Sequence, residues 1–508
     1  MVYEMMAVKK YIQLVFCFAV IGFVACNKPK QRVVTVYETS AGGHSLTQVQ
    51  TVASKEYEIK LTVDTTVEYQ TITGIGGSFT EATAQVLSAL SDDKRQEVLN
   101  AYFGSEGAQY SLTRTHMGSC DFSLTNYSYA AIAGDKHLDH FSIKEDLNDL
   151  IPLILDAQNS SETGFKIIAS PWTAPPWMKD NNSYVGGKLR DEYQESYAQL
   201  FVKYLDAYKK KGIDIWGLTV VNEPHGNGNN WESMHFSPDE MTSFVRDVLG
   251  PTLEKSGWNH IKILGYDQNR AGLDEWTQSM YANQENAKYF SGTAIHWYES
   301  TFKVFEKSLQ RAHVKAPDKY LIQTEACVDS EVPHWRDDAW YWKKEATDWG
   351  WDWAPEDQKE WHPKYSPVHR YARDIIGCLN NWVDGWVDWN MVLNKQGGPN
   401  WFKNWCVAPV IVDTEAGEVY YTPLYNIMVH FSKFIRPGAK RIHWEHQDSD
   451  LLVTAVRNPD TSLAVVVFNP SQTSKVFQLK VAGVEQVIRI SKNALQTIVI
   501  KTNQRYES

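Results

Sequence analysis

Cysteine is scarce in this chain of 508 residues, and the six present are poorly spaced for holding a metal. Cys17 and Cys26 fall in the first 26 residues. Cys120, Cys327, Cys378 and Cys406 stand far apart, with no C-x-x-C pair, so they read neither as a zinc site nor as a disulfide framework. Cys327 reads instead as a small buried apolar residue. A basic stripe is also missing. The net charge of −11 argues against a nucleic-acid partner. No strand-like run is followed by the phosphate-binding glycine fingerprint, since "GIGGSF" departs from G-x-G-x-x-G, and a doubly wound open sheet loses its main support. Tryptophan and tyrosine, by contrast, are abundant. Many of the 20 Trp and 26 Tyr lie in polar loops, where they either stack on ligands such as sugar rings or belong to a large aromatic core. Hydrophobic residues at 43% and charged residues at 22% otherwise describe an ordinary soluble globular protein.

Residues 1–26 read as a targeting segment and are set apart from the fold. Lys9 and Lys10 precede the apolar run "YIQLVFCFAVIGFVAC", which is too short for a comfortable membrane span. It ends in Val24-Ala25-Cys26 and resembles a bacterial lipobox, with Cys26 as the lipidated residue. The alternative is a plain secretory signal. The segment after Cys26, "NKPKQRVVT", lacks the acidic cluster that often marks surface export, so a lipid anchor facing the periplasm is the expectation, with the cell surface the alternative. The membrane would then be met only through this anchor.

From about residue 32 to 70 the pattern is β: "RVVTVYETS", "LTQVQTV" and "EYEIKLTV". Eight short apolar runs follow, alternating with polar loops and helical patterns: 72–80, 110–118, 165–172, 216–223, 261–267, 292–298, 320–326 and 385–393. "TEATAQVLSALSDDKRQEVLNAYFG" is expected as one helix, capped by Thr80 and stopped at Gly104. "SYAQLFVKYLDAYKKKG" is another, closing at Gly212. "SPDEMTSFVRDVLGPTLEKSG" enters with a cap, a first-turn proline and early acids. The fold class is therefore α/β, a (β/α)8 TIM barrel over residues 72–429. Beyond residue 430 four β runs suggest a small antiparallel sandwich. The strands in 27–71 are too few to stand alone and are expected to pair with it, making an all-β domain formed by N- and C-terminal strands.

In such a barrel the active site lies at the C-terminal ends of the strands. There the second run brings Arg114 and, in its loop, Asp121. The third brings Trp172, the fourth Asn222 and Glu223, the sixth His296, Trp297 and Tyr298, the seventh Glu325, and the eighth Asp388, Trp389 and Asn390. A lone histidine with separated carboxylates does not make a metal set, and no cofactor is expected. Two carboxylates facing each other in a Trp-lined mouth suit glycoside hydrolysis. A separation of about 5–5.5 Å implies retention and about 6.5–9.5 Å inversion.

The motifs "SPWTAPPWMK", "TVVNEP", "IHWY", "TEACV" and "DWNMVLNKQGGPNW" resemble those of glycoside hydrolase family 30, which includes glucosylceramidases and β-glucanases. The resemblance runs from about Gly74 through "HFSKFIRPGAKRI" and weakly into the sandwich. It implies a retaining enzyme of barrel-plus-sandwich architecture, with Glu223 as acid/base and Glu325 as nucleophile. It also implies glucose binding by Asp121, Trp172, Trp389 and Asn404, with Asn222 on the sugar 2-hydroxyl. Tyr298 is expected to hydrogen-bond the nucleophile. Arg114 either keeps Glu325 ionised or stabilises the barrel through an ion pair, and His296 supports from behind. His116 stands where many relatives have proline, so no role transfers to it; Phe122 is expected to wall the pocket.

After the nucleophile, "HWRDDAWYWKKEATDWGWDWAPEDQKEWH" carries seven tryptophans. It is either a platform for further glucosyl units, a self-packed loop, or a bilayer contact, the last disfavoured by interleaved acids. The expected substrate is β-glucan, β-1,6-linked favoured. Glucosyl lipids or aryl glucosides are the alternative, and a non-catalytic glycan-binding lipoprotein is the reading from another class. A xylanase fits the motifs less well.

Overall fold

The computed structural model describes residues 32–53, 56–228, 230–448 and 450–502. Cys26 and the expected targeting segment lie outside them. Eight parallel strands close into a barrel, here numbered one to eight in chain order: Gly74–Phe79, Leu112–Met117, Lys166–Pro171, Gly217–Thr219, Lys262–Asn269, Phe290–His296, Tyr320–Glu325 and Gly385–Asn390. Each falls within or overlaps one expected run. Strand four is shorter than expected, pairing only over Gly217–Thr219, so Asn222 and Glu223 stand beyond the ladder. The eighth run also divides. Its tail, Val392–Asn394, joins a separate three-stranded sheet with Val410–Asp413 and Glu418–Tyr421.

Strand periodicity explains how a polar site sits on an apolar plug. Leu112, Ile168, Leu264, Ala294, Ile322 and Val387 form one buried layer inside the barrel. Two residues further along, the same faces carry Arg114, Ser170, His296, Thr324 and Trp389, all buried. Bulges near the strand ends then re-aim neighbours that strict alternation would turn outward. On strand five the register slips between Tyr266 and Gln268, and both Tyr266 and Asp267 take left-handed backbone angles (φ 74° and 64°). On strand seven it slips between Gln323 and Glu325. Gly76 is required where strands one and two touch, because a Cβ there would lie 2.1 Å from the Leu112 carbonyl oxygen.

The expected single helix after strand one is two helices, Glu81–Ser88 and Asp92–Phe103. Thr80 does cap the first, accepting from the Thr83 N–H, but the chain turns at residues 89–91 and Ser91 starts the second. Gln194–Lys210 ends before Gly212, which has φ 83°. Ser237 and Glu240 form a reciprocal capping box at the next helix.

The all-β part is a nine-stranded sheet that uses both chain ends. Arg32–Ser40 pairs along its length with Ala494–Thr502, and Ile59–Thr71 lies between Lys440–Glu445 and Lys475–Val481. The Ile59–Thr71/Lys475–Val481 pair is parallel, so the sheet is mixed rather than antiparallel throughout. Val36, Leu61, Val465, Leu479 and Ile498 share one core, as a sheet curled on itself requires. Helix Pro423–Ser432 runs across residue 430 and joins the two parts. Its His430 is held between Thr39 and Thr497 (2.9 and 2.8 Å), and burial pushes it down to about 3, so it is neutral. Among the described residues no helix is long and apolar enough to cross a membrane.

Candidate active site

A cleft of about 590 Å³ opens at the C-terminal ends of the strands. It is lined by Asp121, Trp172, Asn222, Glu223, Tyr298, Glu325, Trp389 and Asn404, so eight of the expected site residues come together. Arg114 and His296 lie just beneath. One carboxylate oxygen of Glu223 and one of Glu325 are within 4.8 Å of each other.

Glu325 is buried and doubly held. Arg114 Nη1 donates to Oε2 at 2.5 Å and the Tyr298 hydroxyl to Oε1 at 3.1 Å. Burial pushes its carboxyl above the usual range, and Glu223 adds to this. His296 and Arg114 pull in the opposite direction. Arg114 is fully buried and uses its other donors on Ser170 (3.0 Å), Asn222 (2.8 Å) and Asp267 (2.8 Å). Its guanidinium also lies 4.8 Å from the Trp172 ring and 5.6 Å from the Trp389 ring. These two indoles stack at 5.2 Å. The two expected roles of Arg114 therefore merge: one cation orders the nucleophile, an amide, a buried aspartate and both indoles.

Asp267 is a site residue that the strand-tip reading passed over. Oδ2 accepts from Arg114, while Oδ1 accepts from His296 Nε2 (3.0 Å) and Thr324 Oγ1 (2.7 Å). Burial opposes its charge, but Arg114 and His296 outweigh that and hold its carboxyl well below the usual range. His296 in turn reaches Glu223 Oε1 through Nδ1 at 3.2 Å. Burial disfavours its charge; the Glu325 carboxylate and the bonds to Asp267 and Glu223 prevail and raise it to about 9. Below that pH both ring nitrogens donate to carboxylates, leaving no lone pair for a metal, although Glu223, His296 and Glu325 have the closeness of a ligand set.

Glu223 has φ 49°, rare for a residue with a side chain, and its N–H donates to the Asp267 carbonyl at 3.0 Å. The bulge of strand five and the tip of strand four are thus tied together. Such a backbone cost of about 1–3 kcal/mol is typical of positions where geometry is under functional constraint.

At the other side of the cleft Asn404 donates to Asp121 at 3.3 Å. Burial, reinforced by Glu325 and Glu232, pushes Asp121 well above the usual carboxylate range. Phe122 does not wall the cleft. It is buried behind Trp389 in an edge contact at 6.1 Å. His116 is structural: Nε2 accepts from the Glu81 N–H and Nδ1 donates to the Gly118 carbonyl. The four described cysteines are free and buried, with Cys327 and Cys406 Sγ atoms 3.6 Å apart.

Of the seven tryptophans after the nucleophile, only Trp349 and Trp353 line the cleft. Trp340 and Trp342 are buried, Trp335 packs on Tyr420, Lys359 covers Trp351, and Trp361 packs on Phe305. The segment is packed partly on itself and partly against the barrel, with one aromatic corner turned to the site.

The chain matches the glycosyl hydrolase family 30 TIM-barrel domain over residues 72–435 and the family's beta sandwich domain over 438–498. It is 35% identical to the lysosomal acid glucosylceramidase of Mus musculus over 421 residues, 81% of this chain and 77% of that protein. To the endo-1,6-beta-D-glucanase of Neurospora crassa it is 28% identical over 436 residues, 82% and 83% of the two chains. The solved structure of SrfJ from Salmonella typhimurium superposes with a TM-score of 0.82 at 28% identity, covering 92% of this chain and 99% of that one. This chain belongs to glycoside hydrolase family 30 and is an enzyme of that class.

Proposed function

We propose that the enzyme cleaves β-glucosidic bonds with retention, with Glu325 as nucleophile and Glu223 as acid/base. The observation that carries this is that an oxygen of each carboxylate lies within 4.8 Å of the other, on the short side of the roughly 6.5–9.5 Å at which an inverting pair leaves room for its water. In the first step a Glu325 oxygen bonds to the anomeric carbon as the bond to the leaving oxygen breaks. That oxygen takes the Glu223 proton. In the second, water attacks the same carbon, Glu223 takes its proton, and the ester to Glu325 breaks.

Charge counting supports the assignment. For Glu223 to act as the acid it must carry the proton; two cations, Arg114 and His296, then face two anions, Asp267 and Glu325. In the glycosyl-enzyme Glu325 is neutral and Glu223 ionised, so the count is unchanged. Neither state leaves an uncompensated charge in the buried site. Asn222, fixed by Arg114, is aimed to hydrogen-bond the sugar 2-hydroxyl, while Trp172, Trp389, Asp121 and Asn404 hold the ring.

The favoured substrate is β-glucan, because the cleft continues past the catalytic pair into an aromatic and polar corner, and the β-1,6 linkage is favoured by the similarity to the endo-1,6-beta-D-glucanase of Neurospora crassa. The second reading, a glucosylceramidase-type activity on glucosyl lipids, is favoured by the higher identity to the lysosomal acid glucosylceramidase. The test is a product profile on β-1,6-glucan, β-1,3-glucan and glucosylceramide, with Glu325→Gln as blank. Oligosaccharides or glucose from β-1,6-glucan alone support the first reading. Turnover of glucosylceramide with both glucans untouched gives the second. Binding of glucan without turnover of any substrate would mean a receptor rather than an enzyme. Cys26 is proposed to carry a lipid anchor, tested by labelled palmitate incorporation that Cys26→Ser abolishes.

A further inference from the structure

The expected glucose-binding side chains come from one half of the mouth: Asp121 after strand two, Trp172 after strand three, and Trp389 and Asn404 at and after strand eight. Glu223, just beyond strand four, and Glu325, at the end of strand seven, mark the divide. Beyond them the cleft continues between Tyr298, Asp329, Trp349, Trp353, Gln358 and His362, which follow strands six and seven. A leaving group that takes its proton from Glu223 departs into this second half.

The surroundings there are not those of a lipid groove. Asp329 Oδ1 and His362 Nδ1 are out of contact with solvent, and neither has a hydrogen-bond partner. Each such atom costs roughly 1–3 kcal/mol until something pairs with it. Burial raises the Asp329 carboxyl to about 7, with Arg370 opposing and the two catalytic glutamates adding to the rise, so near neutral pH it serves as donor or acceptor. Burial and Arg370 lower His362, which keeps its ring neutral with one nitrogen free to accept. Trp349 and Trp353 meet edge to face at 5.6 Å, and both pack on the His362 ring, at 5.6 and 5.2 Å. Trp353 is 62% exposed, a large indole face turned outward at the cleft. Flat aromatic faces beside unsatisfied polar atoms match the C–H faces and hydroxyls of a pyranose; an acyl chain would leave both polar atoms unpaired.

We propose that Asp329 and His362, flanked by Trp349 and Trp353, form a subsite that binds the leaving sugar and selects a glycosyl over an apolar leaving group. This rests on the reaction proposed above and adds the chemical class of what leaves. Asp329 and His362 receive the hydroxyls of the leaving sugar, and the indoles cover its face. The selection arises because a sugar hydroxyl can pair these atoms, whereas an apolar leaving group leaves them as unpaired as they are in the free enzyme.

The test compares kcat/KM for two glucosides sharing one glycone, a β-1,6-linked glucose trisaccharide and 4-nitrophenyl β-glucoside. It is made for the wild type, Asp329→Asn, His362→Phe and Trp353→Ala. The subsite predicts that the trisaccharide-to-aryl ratio falls about tenfold or more in each variant, as expected for one lost hydrogen bond or stacking face. Trp353 is exposed, so Trp353→Ala reports even if the buried substitutions disturb folding. Ratios within twofold of wild type overturn the subsite while leaving the reaction intact. Failure of the wild type to cleave either glucoside overturns the underlying reading of the reaction itself. A ratio that falls only for Trp353→Ala overturns the roles of Asp329 and His362.

Discussion

Replacing Asp267 with Asn tests the electrostatic frame behind the catalytic pair. The carboxylate accepts from a buried guanidinium on one oxygen and from an imidazole and a hydroxyl on the other. An amide of the same shape must turn its NH2 toward donors on one side. The rise of His296 from 6.5 to about 9, at about 1.4 kcal/mol per pH unit, represents about 3 kcal/mol favouring the charged ring. Asp267 supplies part of that, and breaking its pair with Arg114 adds a penalty of about 3–5 kcal/mol. Because the folded value lies above the unfolded one, the stabilisation from His296 is complete below pH 6.5 and lost as pH rises through about 9. Wild-type unfolding free energy should therefore fall between pH 6.5 and 9, and that slope should flatten in Asp267→Asn. The variant should also lose about 10²–10³-fold in kcat, and its alkaline activity limb should move at least one pH unit lower. Guanidinium denaturation at pH 6 and 9, with a kcat/KM pH profile on an aryl glucoside, reads all three. An unchanged slope together with an unshifted alkaline limb would refute the frame.

The two glutamates should separate under azide rescue. Glu223→Ala loses about 10²–10⁴-fold on poor leaving groups and with azide yields β-glucosyl azide, whereas Glu325→Ala yields the α-azide; the reverse pattern on NMR would exchange the roles. Activity should survive extended EDTA treatment undiminished, because His296 donates from both nitrogens and Arg114 occupies Glu325; recovery of lost activity on adding a divalent ion would contradict this. Trp172→Ala should lower thermal stability as well as sugar affinity, by about 3–5 kcal/mol of folding free energy, since the indole is buried beneath Arg114 and against Trp389. A melting temperature equal to wild type would mean that the Trp172–Trp389–Arg114 stack carries little load.

Most of the barrel was readable because each strand is a short apolar run ending in a polar loop. The motifs around Asn222, Glu223 and Glu325 stand where those runs stop. Asp267 was hidden by the backbone rather than by composition. Simple alternation from Leu264 points Tyr266 inward, and only the bulge with left-handed Tyr266 and Asp267 turns the aspartate to Arg114. The break after Ser88 was masked by a continuous helical pattern, and the parallel pairing of Ile59–Thr71 with Lys475–Val481 joins segments some 400 residues apart, beyond any local signal. The tryptophan-rich segment announced an unusual loop. Which two indoles face the cleft depends on how the other five pack against Tyr420, Phe305 and one another's surroundings.

The claim on which the rest depends is double displacement on Glu325. The direct measurement is proton NMR of the anomeric signal during the first minutes of aryl β-glucoside hydrolysis, before mutarotation mixes the anomers. The account predicts β-glucose first, with the α-anomer appearing only at the mutarotation rate. Initial α-glucose would mean inversion, and with it a water where Glu325 is held to attack.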